Sequence, residues 1–170
     1  MRNRYGRKGQ LVALTLLLLI LAACGTPASS PTTPPAAPRD PSAKVTDSTL
    51  VVYKSPTCSC CKNWNAHVSA YGFPLTVNDV DNLGEIKDRY GVPSALRSCH
   101  TAIVEGYVIE GHVPAADVER LLRERPAIVG IAVAGMPAGS PGMDSPGVQA
   151  VPYQVMAFDA AGATTVFASH

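Results

Sequence analysis

Apolar and polar positions fall into two regimes along this chain. Leu11 to Ala23 is almost wholly apolar and follows a basic start at Arg2, Arg4, Arg7 and Lys8. The run has the length of a signal h-region and is shorter than the roughly 20 residues of a membrane span. From Gly25 to about Asp47 there is no apolar period. Pro27, Pro31, Pro34, Pro35, Pro38 and Pro41 stand among Ser, Thr and Ala, a composition that buries no core and reads as an extended, partly polyproline II linker. Periodicity begins at about Ser48. Thr49 to Lys54 predicts a buried strand, Ser55-Pro56-Thr57 a turn, and Cys60 to about Tyr71 a helix ended by Gly72 and Pro74. Leu75 to Val80 predicts a second strand. Asp81 to Tyr90 predicts a second helix, with acids in its first turn and Gly91 just past its end. Thr101 to Val104 and Tyr107 to Glu110 predict strands joined at Glu105-Gly106. Pro114 to Arg125 predicts a third helix with Val118, Leu121 and Leu122 as its apolar stripe and Pro126 as its stop.

Strand, helix, strand, helix, two antiparallel strands, helix is the order of an α/β, thioredoxin-like fold. Residues 48–170 are long enough for one core. Beyond the third helix, Ile128 to Val133 is apolar and Gly135 to Pro146 is a Gly/Pro-rich loop carrying Met136 and Met143. Tyr153 to Phe158 and Ala163 to Ala168 predict a hairpin over Ala160-Ala161-Gly162. The expectation is therefore a thioredoxin-like domain with a C-terminal loop and β-hairpin extension.

The apolar leader changes the charge balance. It ends in Leu21-Ala22-Ala23-Cys24, small residues before a cysteine, which looks like a bacterial lipobox with Cys24 as the lipidated residue. The alternative is an ordinary signal peptide or an uncleaved anchor with a chance cysteine. The linker directly after Cys24 favours the lipobox. Residues 1–23 are thus expected to be a lipoprotein signal peptide and 24–47 a tether. The chain carries 14 Lys and Arg against 13 Asp and Glu, and four of the basic residues lie in the leader. The mature part is then net acidic by three charges and has no basic stripe, which argues against nucleic-acid binding.

Four cysteines follow Cys24: Cys58, Cys60, Cys61 and Cys99. In an exported protein an even number first suggests disulfides. Staples join distant parts of a chain, however, and three of these thiols are bunched in one turn. In a thioredoxin-like fold that turn sits at the N-terminus of the first helix, where free N–H groups and the helix dipole stabilise thiolates. The segment entering the third strand passes close by, and Cys99-His100 occupies that entry. Cys58 and Cys61 alone have the spacing of thiol–disulfide exchange. The extra Cys60 invites scrambling and overoxidation in a redox dithiol. Thiolates are soft ligands that select Cu(I), Zn or iron–sulfur clusters. A single Zn ion is usually held by two separate CxxC-type knuckles, which CxCC plus one distant cysteine matches poorly. The crowding suits sulfurs that bridge Cu(I) ions, and four thiolates would neutralise four such ions.

Met136 and Met143 lie in a loop, an unusual place for core methionine, and thioether sulfur is a Cu(I) ligand. Gap-filling is the alternative for both, and Met156 reads as packing. His100 adjoins Cys99, but strand alternation directs their side chains oppositely, so it is weighed between ligand and packed residue. His112, before the third helix, is read as a ligand, a group orienting one, or a helix-entry residue. His67 lies about 10 Å along the helix from Cys60 and shares a face with Trp64, as a packed residue. His170 is terminal and uninformative.

Taken together, Cys58-Ser-Cys60-Cys61-Lys-Asn-Trp64-Asn-Ala-His67, Gly91-Val92-Pro93, Ser98-Cys99-His100-Thr101-Ala102, Gly106 to Pro114 and Gly135-Met136-Pro137 through Gly142-Met143 resemble the CopG-type copper-resistance proteins. These are exported bacterial proteins long catalogued as a domain of unknown function. The resemblance covers about Leu50 to Phe167. It implies a thioredoxin-like fold with Cu(I) held by Cys58, Cys60, Cys61 and Cys99, and with Met136 and Met143 carrying the family's Gly-Met-Pro loop. Asp144 stands where Glu often follows the last Met. The expected function is a copper-binding protein of the cell envelope, lipid-anchored and facing the periplasm or the outside. It would sequester Cu(I) in copper resistance, or pass it to or from an exporter or chaperone. The alternatives are a thiol–disulfide or copper oxidoreductase using Cys58 and Cys61, and a structural Zn protein.

Overall fold

The computed structural model describes residues 45–170. The leader, Cys24 and most of the linker lie outside the described residues. The last three linker residues, Val45–Asp47, form a short 3-10 helix whose Val45 packs on the core.

The first strand, β1 (Leu50–Lys54), alternates between buried and half-buried positions. It is followed by helix α1 (Ser59–Tyr71), which ends where Gly72 takes φ 116° and its N–H and that of Phe73 return to the carbonyls of Ser69 and Val68. Strand β2 (Leu75–Asp79) pairs parallel with β1, Leu50 opposite Leu75 and Lys54 opposite Asp79. Helix α2 is shorter than the sequence suggests: it covers Leu83–Arg89, with Asn82 as its cap, so Asp81 lies outside and Glu85 alone is acidic in the first turn. Asn82 takes the cap because its side-chain oxygen accepts the Glu85 N–H. A 3-10 turn, Ser94–Leu96, leads to β3 (His100–Val104), which pairs antiparallel with β1. β3 turns into β4 (Tyr107–Glu110) through Glu105 and Gly106, both with positive φ, as a tight two-residue hairpin requires. Helix α3 (Ala115–Glu124) follows.

These elements give the strand order β2-β1-β3-β4, the arrangement of a thioredoxin-like fold. The C-terminal part is not an appended hairpin alone. The apolar run after α3 contains a short strand, β5 (Gly130–Ala132), parallel to β4, and the hairpin β6 (Gln154–Phe158) and β7 (Thr164–Ser169) pairs onto it. One continuous seven-stranded sheet results, in the order β2-β1-β3-β4-β5-β6-β7. Gly130 permits this: a Cβ there would lie 2.2 Å from the Val108 carbonyl oxygen.

The main core fills one face of the sheet. Leu50, Val52, Ala102, Val104 and Ile109 meet Trp64 and Val68 of α1 and Val118, Leu121 and Leu122 of α3. A smaller core of Val92, Leu96, Val108, Ala132 and Phe158 covers the other face, on the side of α2.

Candidate metal centre

The cysteine turn sits where β1 hands over to α1. Cys58 is the N-cap, and its sulfur faces the Cys61 N–H at 3.3 Å. This replaces the oxygen cap that α1 lacks and turns the thiols of residues 58, 60 and 61 toward one end of the sheet. Cys99 arrives from the other side. It lies one residue before β3, whose first residue, His100, pairs with Lys54 at the end of β1. The pairing of β1 with β3 thus brings two cysteine segments together. The Sγ atoms of Cys58, Cys60, Cys61 and Cys99 all lie within 4.8 Å of one another. Cys60 stands 3.5 Å from Cys58 and 3.7 Å from Cys99, and the Met136 sulfur lies 4.0 Å from Cys60.

Cys58 and Cys61 are joined as a disulfide with a Cα–Cα distance of 5.4 Å, within the usual span for the bond. Cys60 and Cys99 are free and half-buried. In this state two sulfurs are available as thiols, and reduction exposes all four. Cys61 is fully buried against the Cys99 carbonyl, whereas Cys60 faces the rim beside the exposed Met136.

Cys99 also belongs to a second group. Its sulfur lies 3.0 Å from His112 Nε2 and 3.3 Å from His100 Nδ1, and the three ligand atoms again fall within 4.8 Å. Alternation does not separate Cys99 from His100, because Cys99 precedes the strand rather than belonging to it. His112 Nδ1 lies 2.8 Å from the Pro141 carbonyl oxygen, which can only accept, so Nδ1 carries the proton and the Nε2 lone pair faces Cys99. Metal-binding imidazoles are oriented in this manner. His100 is fully buried, its ring 4.4 Å from that of Trp64, and its Nε2 has no hydrogen-bond partner among the described residues. Burial, with His112 and Lys87 nearby, holds His100 well below the usual histidine range, and burial lowers His112 as well. Burial and then the adjacent Cys60 thiol push the Cys99 thiol up to about 12. In the metal-free protein Cys99 is therefore a thiol between two neutral imidazoles, and metal capture there releases a proton.

The other methionines and histidines make the following contacts. Met143 lines an open hollow with Gly139, Asp144, Pro146 and Val148. His67 accepts the Ala115 N–H at the start of α3, a packed role. His170, uninformative in sequence, is tied to Asp117 at 2.7 Å and stacks on Tyr153. Met156 packs on the smaller core.

Sequence reading missed the buried pair of Lys87 and Glu110 beside the site. A signal was present: Leu83, Ile86, Lys87 and Tyr90 fall at helical spacing, so the lysine lies on the apolar stripe of α2.

Comparison with known proteins places this geometry. Residues 96–143 match the family model described as a protein of unknown function, DUF411. None of the curated proteins matches the chain. Two solved structures, both described as copper resistance protein CopG, superpose on it. Form 2 gives a TM-score of 0.69 at 42% identity over 73% of this chain and 98% of that one. Form 1 gives 0.68 at 43% identity over 72% and 96%.

Proposed function

This chain belongs to the CopG-type copper-resistance protein family, and we propose that it binds Cu(I) through Cys58, Cys60, Cys61 and Cys99, either sequestering it or handing it on. The observation that carries this reading is the meeting of four cysteine sulfurs within 4.8 Å at one end of the sheet. At that spacing a sulfur can touch more than one metal ion, and soft thiolates favour Cu(I) over harder cations. Each Cu(I) that displaces a thiol proton leaves the charge of the site unchanged, so a filled cluster avoids the cost of burying bare thiolates. His112 Nε2 and Met136 Sδ stand beside Cys99 and Cys60 as further donors. Copper is cargo in this scheme. The rim position of Met136 and Cys60 gives an exporter or chaperone access to it. The run Leu21-Ala22-Ala23-Cys24, which resembles a lipobox, supports a lipid-anchored protein of the bacterial cell envelope, on the periplasmic or outer side, with the Pro-rich segment as tether.

A second reading has one observation in its favour, the Cys58–Cys61 disulfide. Opening it consumes two electrons and two protons, and oxidation of two Cu(I) to Cu(II) supplies the electrons. On that reading the protein is a copper or thiol–disulfide oxidoreductase.

The test is a Cu(I) titration of the full chain in detergent, reduced and anaerobic, against a competing chelator. Several tightly bound copper ions per chain, lost together in Cys99→Ser, are expected. A single weakly held copper with rapid thiol–disulfide exchange would overturn the cluster in favour of the oxidoreductase.

A further inference from the structure

Glu110 and Lys87 form an ion pair inside the protein, at the end of β4 and under α2. Glu110 is 0% exposed and Lys87 5%. Lys87 Nζ donates to Glu110 Oε1 at 2.6 Å and to Thr101 Oγ1 at 3.1 Å, and Thr101 Oγ1 donates to Glu110 Oε2 at 2.7 Å. Among the described residues, one hydrogen bond joins these side chains to a residue outside the group: the backbone N–H of Ser98 donates to Glu110 Oε1 at 2.6 Å.

Stability alone is a poor account of the pair. Two charges taken out of water lose hydration that their attraction only partly restores, and well-packed apolar residues usually do as well. Apolar residues cannot accept the Ser98 N–H. That N–H precedes β3, so it has no strand partner, and it lies next to Cys99. Ser98 also reaches the loop that bears Met136, because its hydroxyl donates to the Gly135 carbonyl. The Glu110 backbone carbonyl accepts the Val133 N–H at 3.0 Å, tying down the start of the same loop. The three segments touch at Gly111, where a Cβ would meet the Ser98 side chain at 2.6 Å and the Val133 carbonyl at 2.7 Å.

We infer that Glu110, paired with Lys87, is a positioning residue for copper. It pins Ser98 so that Cys99 and Met136 are held in place opposite the CxCC turn, without touching metal itself. This rests on the copper-binding reading above. A pinned Cys99 cannot swing toward solvent, so the site meets Cu(I) with little rearrangement.

Two double variants of the full chain separate positioning from stability, since both remove the ion pair. Lys87→Met/Glu110→Gln keeps an oxygen for the Ser98 N–H, and Lys87→Met/Glu110→Leu does not. With the Cys58–Cys61 disulfide intact, Cys60 and Cys99 are the thiols among the described residues to be alkylated by iodoacetamide, and peptide mass mapping gives each rate. The Gln variant should label Cys99 at the parent rate and keep its Cu(I) affinity. The Leu variant should label Cys99 and lose Cu(I) affinity by about tenfold each, the scale of one lost buried hydrogen bond. Equal Cys99 labelling in the two variants overturns the inference. If the Leu variant does not fold, amide exchange at Ser98 of the parent decides: protection comparable with β3 supports pinning, and loop-like exchange overturns it. If the labelling differs as expected while the parent binds no copper, the copper reading fails and the pinning stands.

Discussion

The sulfurs of Cys60 and Cys99 stand 3.7 Å apart although 39 positions separate them in the chain. Both are free while Cys58 and Cys61 are bonded to each other. Cys60 is thus the thiol that a redox dithiol does not need and that a bridged cluster does.

Cys60→Ser should therefore leave the Cys58–Cys61 couple able to open and close, while Cu(I) binding weakens by about tenfold or more, roughly 1.4 kcal/mol. Copper counting and a thiol–disulfide exchange assay on the same sample check this. Retained copper with lost exchange would reverse the assignment.

The thioredoxin-like core was legible because its signals are local. Apolar strands, Gly72 after α1 and the Glu105-Gly106 turn each act within a few residues. Cys58, Cys60, Cys61 and Cys99 were legible as a group because fold order places the entry to β3 beside the first turn of α1. What escaped depends on where an element starts or on what lies opposite it. Alternation fails for Cys99 and His100 because β3 begins at His100. The three residues of β5 are too short to show a period and are strand only because β4 and β6 flank them. Lys87 is buried because Glu110 lies across from it, 23 positions away.

Membrane attachment is expected to rest on Cys24. Cys24→Ser removes the thiol that would carry the acyl chain, so metabolic labelling with a fatty acid should be lost and the chain should keep its leader. Fatty-acid labelling and gel mobility of parent and variant check this, and an unlabelled parent, or a label kept in the variant, would overturn the lipobox.

Acid should weaken the metal-free, disulfide-bonded protein. The folded-state pKa of His100 lies well below its ordinary value of 6.5, chiefly through burial. Below that value the unfolded chain takes up a proton that the folded chain refuses, so the stability from a neutral His100 is complete above about pH 6.5 and declines as pH falls. His112 and His67 are lowered too and act with the same sign. Between pH 7.5 and pH 5 the unfolding free energy should drop. Urea midpoints at the two pH values measure it, and a flat profile would show that His100 takes up its proton inside the fold.

Gly142 lets the methionine loop lie on α1. It has φ 84°, and a Cβ there would come 2.7 Å from the Trp64 nitrogen and 3.0 Å from the Cys60 carbonyl. Gly142→Ala should cost about 1–3 kcal/mol, from overpacking and the left-handed backbone together. Denaturant unfolding gives the loss directly. An unchanged midpoint would mean that the loop can lift from the helix freely.

Trp64 is the chain's one tryptophan. It is fully buried on the helix that begins at the cysteines, its ring packed on that of His100 and its Nε1–H fixed to the Val113 carbonyl at 2.8 Å. A single rigid indole against an imidazole that borders the thiol cluster is an optical probe already installed. Its emission should respond when the group around Cys99 gains metal or when the disulfide opens. Loading could then be followed in real time on the unmodified protein, with no label attached to any of the sulfurs under study.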